Sequence, residues 1–253
     1  MNGYTPVFDT AVAAFGKSES YEALFDSFRT QHEVYGFIDN GDRPPDEEAV
    51  SIAKRIDPAL YDVYLANNRG RAIFGYGKTT PVHGDYSNLD SRHIMMSVHL
   101  LSSISDHPHT VVEIGGGFGN WLRLNTGVIA FSKWTIVDLP HVSKLQKYAL
   151  EKDCIHPTTY ELVEAGTRSN WDSIDLVLGT HSMSEFSLST FIDYFYTIVL
   201  KSQYFYYAYH NTRPSLELIN TKRDIIEKHF TPIHTMVSEG GNVTNCLYGK
   251  KVT

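Results

Sequence analysis

The chain has 253 residues, 42% of them hydrophobic and 20% charged, with a formal net charge of −7. That size supports one large domain or a domain with a cap, and the composition argues for a true core and against global disorder. The acidic balance, without a dense Lys/Arg run, argues against a dedicated nucleic-acid binder, and no apolar run approaches about 18 residues, the length a membrane helix needs.

The opening residues MNGYTPVFDTAVAAFG lack the basic and apolar regions of a secretory leader. Cys154 and Cys246 lie far apart and suggest neither a disulfide framework nor a zinc site. The expectation is a soluble protein of a reducing compartment, the cytoplasm.

In chain order, residues Tyr21–Thr30 read as a short helix. Asp46–Ile56 follows Pro44–Pro45 with acids in its first turn, a good helix start. Pro58–Asn67 reads as another helix. Asn68–Asp90 is a long polar segment rich in Gly, His, Tyr and Arg. Long loops inside compact domains are functional or disordered, and the aromatics and mixed charge here disfavour disorder. Ser91–Ser105 predicts a helix that leads into the first strand. Residues 1–90 are therefore expected to form a helical cap and loop over a crevice built by residues 91–253.

From Thr110 onward strand and helix signals alternate. Strands are expected at Thr110–Ile114, Trp134–Asp138, Thr159–Val163, Ile174–Leu178 and Tyr204–Tyr209. Helices are expected at Asn120–Ala130, His141–Leu150 after Pro140, Leu188–Leu200, and from Pro214 to about His229. Ile233–Val237 and Val243–Tyr248 flank a Glu-Gly-Gly-Asn turn and read as a hairpin. Alternating strands and helices predict an α/β fold, a mostly parallel sheet with helices on both faces.

The richest stretch is TVVEIGGGFG at Thr110–Gly119, with WTIVDLP following at Trp134–Pro140. An apolar run that breaks into glycines is a buried strand feeding a tight loop and a helix. Gly115, Gly117 and Gly119 permit positive φ and close approach of a ligand to backbone. Asp138, at the end of the next strand, can accept hydrogen bonds from ribose hydroxyls. The spacing is not the G-x-G-x-x-G of dinucleotide folds, and no G-K-[ST] marks a P-loop. Glu113, two positions before the first glycine, would repel a pyrophosphate but suits a ligand carrying an amino group and a sulfonium. An ordinary glycine-rich turn in another α/β protein is the bland alternative.

The pattern E-x-G-x-G-x-G with a second acid 25 residues on resembles motif I and the ribose-binding acid of class I S-adenosylmethionine (SAM) methyltransferases. The fuller pattern EIGGGFGNW, IVDLPHVSKLQKYAL and IDLVLGTHSMSEF resembles the sugar O-methyltransferase family over roughly residues 90–250. At the exit of the fourth strand the family has S-N-x-A-[FL]-S-E-[LF]. Here Thr180–Phe186 keeps the Ser-Glu pair and puts His181 near the usual Asn. The resemblance implies a Rossmann-like class I methyltransferase fold closed by an antiparallel hairpin strand. It implies SAM as cofactor and S-adenosylhomocysteine as product. The cofactor contacts it implies are Glu113, Gly115, Gly116, Gly117, Gly119, Asp138, Leu139, Thr180 and His181. The acceptor would be a sugar or glycan hydroxyl.

Methyl transfer to a hydroxyl needs oxygen, methyl and sulfur held in line, and that positioning supplies most of the rate. A general base helps as the new bond forms. His181 and Glu185 stand at the fourth-strand exit, where the methyl should emerge. His181 has a suitable ordinary pKa, and Glu185 could act directly or orient a histidine. The bland alternatives are a satisfied loop histidine and a helix N-terminal acid. His210 and Asn211 leave the fifth strand on the same side, as a reserve base and a substrate contact. Tyr76, His83, Asp85 and Arg92 are further substrate candidates, and Tyr76 and Tyr86 could stack on a sugar face. The fourth-strand exit lacks the clustered carboxylates of an octahedral oxygen site, so no required metal is expected. A non-sugar small molecule or a protein is the alternative acceptor. A degenerate, non-enzymatic SAM-binding subunit is disfavoured by the intact glycines and acids.

Overall fold

The computed structural model describes residues 45–69, 86–167, 171–211, 216–238 and 241–251. The strands are β1 (Thr110–Ile114), β2 (Lys133–Asp138), β3 (Tyr160–Glu164), β4 (Ile174–Thr180), β5 (Ser202–His210), β6 (Phe230–Val237) and β7 (Val243–Lys250). They form one sheet in the order β3-β2-β1-β4-β5-β7-β6. β1 to β5 pair in parallel, and β7 runs antiparallel to both β5 and β6. The order reverses between β1 and β4, which opens a crevice at their carboxyl ends.

The helices are α1 (Glu47–Ile56), α2 (Pro58–Asn68), α3 (Asn88–Leu101), α4 (Asn120–Asn125), α5 (Pro140–Lys152), α6 (Ser182–Glu185), α7 (Leu188–Thr197) and α8 (Leu216–His229). The central strands are buried on both faces, so they read as unbroken apolar runs rather than as alternation. On one face Ile52, Tyr61, Tyr64, Ile94 and Trp121 from α1–α4 pack with Leu176, Leu178, Tyr206 and Leu247. On the other, Phe191, Phe195 and Ile226 from α7 and α8 pack with Val177, Phe205, Tyr207 and Tyr248. Successive residues of β5 alternate between these two cores, as the pleat requires.

Local chemistry sets the element ends. Asp46 caps α1 by accepting from the Ala49 N–H, and Asp57 caps α2 the same way through Leu60. Ser87 and Asp90 form a reciprocal capping box, so α3 begins three residues before the expected Ser91 and ends at Leu101. The expected boundary at residues 90/91 thus falls inside a helix.

α4 stops at Asn125 rather than Ala130. Thr126 is extended and Gly127 has φ +88°, where a Cβ would lie 2.7 Å from Asn67 Oδ1. Asn67 also donates to the Thr126 carbonyl, so α2 sets the end of α4. The helix expected over Leu188–Leu200 ends at Thr197, and a 3₁₀ turn follows at Val199–Lys201. β6 starts at Phe230, because an edge strand tolerates Pro232 at a bulge. The helix expected over residues 21–30, residues 70–85 of the polar segment, Pro214, and Glu239–Gly240 of the hairpin turn lie outside the described residues.

Candidate active site

The glycine loop follows β1 directly. The Gly115 N–H donates to the Val137 carbonyl at 2.9 Å, and Gly119 donates back to Gly116. Gly115, Gly117 and Gly119 have φ of +73°, +57° and +85°. A Cβ on Gly115 would sit 2.4 Å from Ser182 Cβ, and one on Gly116 would sit 2.6 Å from Ile136 Cγ2. The loop therefore lies against both the β2 side chains and the residues after β4, and only glycine permits that approach.

Both acids lie under this loop. Glu113 is 1% exposed, and its carboxyl accepts from Trp134 Nε1 at 3.1 Å. Burial pushes it up to about 8, Trp134 opposes the shift, and Asp138 adds to it. Asp138 accepts from the Leu139 N–H and from Gln146 Nε2, each at 2.8 Å. The amides of Gly116 and Gly117 also reach it, yet burial still pushes it up to about 7. Gln146 donates in addition to the Gly117 carbonyl at 2.9 Å. Its own Oε1 is buried without a partner. A cationic ligand above this loop would draw both carboxyls toward their ionised forms.

β4 delivers the next group. The His181 N–H donates to the Ala208 carbonyl at 2.9 Å. His181 has φ +62° and ψ −40°, a strained conformation for a residue with a Cβ, costing roughly 1–3 kcal/mol. Ser182 donates to the Ile114 carbonyl and so joins the β4 exit to β1. Lys222 of α8 is wholly buried and donates to the carbonyls of Met183, Ser184 and Phe186 at 3.1, 2.8 and 2.6 Å. These carbonyls mark the end of the single-turn helix α6. Burial lowers the Lys222 ammonium to about 8, and Glu185 opposes the shift.

His181 and His210 stack with ring centroids 4.6 Å apart. His181 Nδ1 is buried without a partner. Burial lowers its pKa to about 3, and the nearby His210, His93 and Arg92 lower it further. His210 is lowered by burial and then by Arg92. Glu185 sits at the surface against protein, and partial burial raises its carboxyl while Lys222 opposes. The imidazole of His181 is therefore neutral across the physiological range.

Beside His181 a groove open to solvent runs along the carboxyl edge of the sheet. α1 contributes Ala49 and Ile52, α3 contributes Met95 and Met96, and the hairpin contributes Met236, Val243 and Asn245. Arg92 and Asp46 line it as an ion pair, Nε to Oδ2 2.8 Å. Burial pushes Asp46 up, but Arg92 and the α1 amides outweigh it and hold the carboxyl below its usual value.

A buried chain of polar groups ties α3 to the helix after the glycine loop. Arg123 pairs with Asp90 and donates to Asn120 at 2.8 Å, and Asn120 meets His93 Nδ1 at 3.1 Å.

The structure thus gathers Glu113, Gly115, Gly116, Gly117, Gly119, Asp138 and Leu139 at one loop. Thr180, His181 and His210 stand at the adjoining strand ends, and Arg92 lies in the groove. Glu113 lies beneath the loop rather than in the open crevice. Asn211 follows β5, and its amide nitrogen donates to the Gly241 carbonyl and Thr244 Oγ1 at 2.8 and 2.7 Å, fastening the hairpin. Tyr76, His83 and Asp85 lie outside the described residues. Sequence reasoning missed Gln146, Lys222 and Asn245 as candidates. Only Gln146 had a local signal, its place in LQKY two turns after Asp138. Among the described residues no three His, Cys, Asp or Glu side chains could hold a metal ion, and no helix is long and apolar enough to cross a membrane.

No family model and no curated protein matches this chain. Solved structures do. The methyltransferase domain of the bacterial protein CtHen1 is 13% identical over 61% of this chain and 96% of its own, with a TM-score of 0.51. The PH0226 protein from Pyrococcus horikoshii OT3 is 13% identical over 66% of this chain and 92% of its own, with a TM-score of 0.52. At such identities the likeness is one of fold: the chain has the Rossmann-like α/β fold of class I methyltransferases.

Proposed function

We propose that this chain is a SAM-dependent O-methyltransferase that acts on a hydroxyl of a sugar or glycan. The observation that carries the reading is the glycine loop closed over two buried acids at the switch point, with Gln146 Oε1 left unpartnered beside it. A buried amide oxygen without a partner is costly unless a donor completes it, and a ribose hydroxyl is such a donor. The loop glycines, Asp138, Leu139, Gln146 and Thr180 would hold the cofactor. Glu113, beneath them, would supply charge through the loop rather than direct contact. When bound, SAM supplies an electrophilic methyl group and leaves as S-adenosylhomocysteine.

The chain's own part is placement. His181 presents a neutral ring nitrogen to the acceptor hydroxyl, and its strained backbone fixes that nitrogen's direction. So depressed an imidazole is a weak base, so most of the acceleration comes from alignment and exclusion of water. His210, stacked outside it and exposed, faces the solvent to which the proton must go. Net charge −7 suits a neutral acceptor rather than a polyanion. The two free thiols, Cys154 and Cys246, suit the cytoplasm.

The apolar lining of the groove favours a second reading, in which the acceptor is a non-sugar small molecule. Incubation with tritiated-methyl SAM and a panel of glycosides, with mass analysis of the products, separates the two. Methyl ethers on glycosides support the first. Labelling of phenolic or alkyl acceptors alone replaces it with the second.

A further inference from the structure

The groove and the glycine loop are joined by one row of side chains. The strand registers place Thr180 beside Ala208, Ala208 beside Asn245, and Asn245 beside Met236. The row crosses four strands at the carboxyl edge, on the face that α1 and α3 cover. It begins at the residue before His181 and ends in the groove. Ala208 is the small member of the row and is fully buried.

The chemistry of the row is uneven. Asn245 is 2% exposed, and its Oδ1 has no partner. His181 Nδ1 also has none. Around them stand three thioethers, Met95, Met96 and Met236, and the polar remainder of the lining, Asp46, Glu48, Arg92 and Ser238, completes the groove. Thioethers accept few hydrogen bonds and adapt their shape to apolar surface. A fully hydroxylated ring pressed on them would leave its own hydroxyls unpaired, which costs affinity.

From these observations we infer that the groove takes a deoxygenated hydroxyl-bearing ring, a deoxysugar type of acceptor, whose apolar edge lies on the three methionines while a hydroxyl donates to Asn245 Oδ1. The inference rests on the methyltransferase reading and names the acceptor class for it. Asn245 is a specificity-determining residue here, because its buried oxygen rewards a donor at one position only. Arg92 and Asp46, paired where α1 and α3 begin, would bound the ring on its polar side.

The test uses the full chain loaded with S-adenosylhomocysteine and labelled with ¹³C at the methionine methyls. Of the five methionines, Met183 lies beneath Gly179 and serves as the internal control. The probes are matched 4-nitrophenyl 6-deoxyhexopyranosides and their parent hexopyranosides of the same configuration. A 6-deoxy probe should shift Met95, Met96 and Met236 and spare Met183. It should bind at least tenfold more tightly than its parent, at the lower end of the discrimination an apolar surface gives against an added hydroxyl. Asn245→Leu should weaken the 6-deoxy probe tenfold or more. Met236→Gln, at a half-buried edge-strand position that tolerates the change, should narrow the preference toward the parent. Equal binding of the two probes overturns the inference, as does a complex in which the groove methionines do not move. If S-adenosylhomocysteine itself fails to bind, the methyltransferase reading has failed instead.

Discussion

The two halves of the site differ in how their polar groups are satisfied. Under the glycine loop, Asp138 is ringed by donors from Leu139, Gln146, Gly116 and Gly117. Along the groove, His181 Nδ1 and Asn245 Oδ1 face no protein partner at all. The first half is pre-organised by the chain itself, with one oxygen left over on Gln146. The second is left incomplete until something enters it. A buried polar group without a partner is a standing cost of about 1–3 kcal/mol, and the two halves put that cost where a ligand can relieve it.

The largest way to break this contrast is to disturb the packed half. Gly115→Ala adds a Cβ to a residue at φ +73°, 2.4 Å from Ser182 Cβ. Thermal unfolding should show a loss of about 2–5 kcal/mol, and nucleoside binding should fall with it. A variant as stable as wild type would show that the loop does not pack against the β4 exit. Next in size is Lys222→Met, which removes the donor to three buried carbonyls. We expect about 3 kcal/mol of destabilisation. We also expect turnover to fall more than cofactor affinity, since α6 follows His181. An equal loss of both would mean that Lys222 serves the fold alone.

A smaller effect separates the halves by pH. Glu113 is raised from an ordinary 4.5 to about 8 and Asp138 from 3.8 to about 7. Folded values above unfolded ones mean that protonation favours folding. The ligand-free protein should keep this stability at acid pH and lose it as pH rises through 7 and 8. Glu113→Gln should flatten the fall in Tm between about pH 5 and 8 by on the order of a few degrees. An unchanged slope would show that Glu113 ionises freely. His181 acts with the opposite sign. Its lowered value withdraws stability as pH falls below 6.5 toward about 3.

The smallest effect concerns backbone strain. At position 181 Ala keeps a Cβ at φ +62° and Gly does not. His181→Gly should therefore be more stable than His181→Ala by about 1 kcal/mol. Both should lose turnover, and wild-type kcat/KM should show no acid limb near pH 6.5. Such a limb, absent in His181→Ala, would restore His181 as an ordinary titrating base.

How much of this the sequence disclosed follows from how local each feature is. The strand β1, the loop and Asp138 lie within 30 residues, so their residue types and spacing spell out the first half. The capping signals at Asp46 and Asp57 are as local, and those helices start where expected. The groove draws on residues near 46, 92–96, 181 and 236–245; Arg92 and His181 were candidates in the sequence, but nothing local joined them to Met95, Met96, Met236 and Asn245. Lys222 reads as a solvated helix lysine until α8 is laid against α6. α4 ends early because Gly127 meets Asn67 of α2, a contact no local pattern announces. The lowered pKa of His181 was not legible either, because burial, its main cause, and the nearby His93, Arg92 and His210 depend on how α3 and β5 pack around it.

The most direct test of the central claim is isothermal titration of S-adenosylhomocysteine into the wild-type chain and Asp138→Ala, near pH 7.5. The account predicts one site in wild type and a loss of tenfold or more in the variant, since hydrogen bonds to charged groups contribute about 1.5–3 kcal/mol each. An absence of binding to wild type, or the same affinity in both proteins, would contradict it.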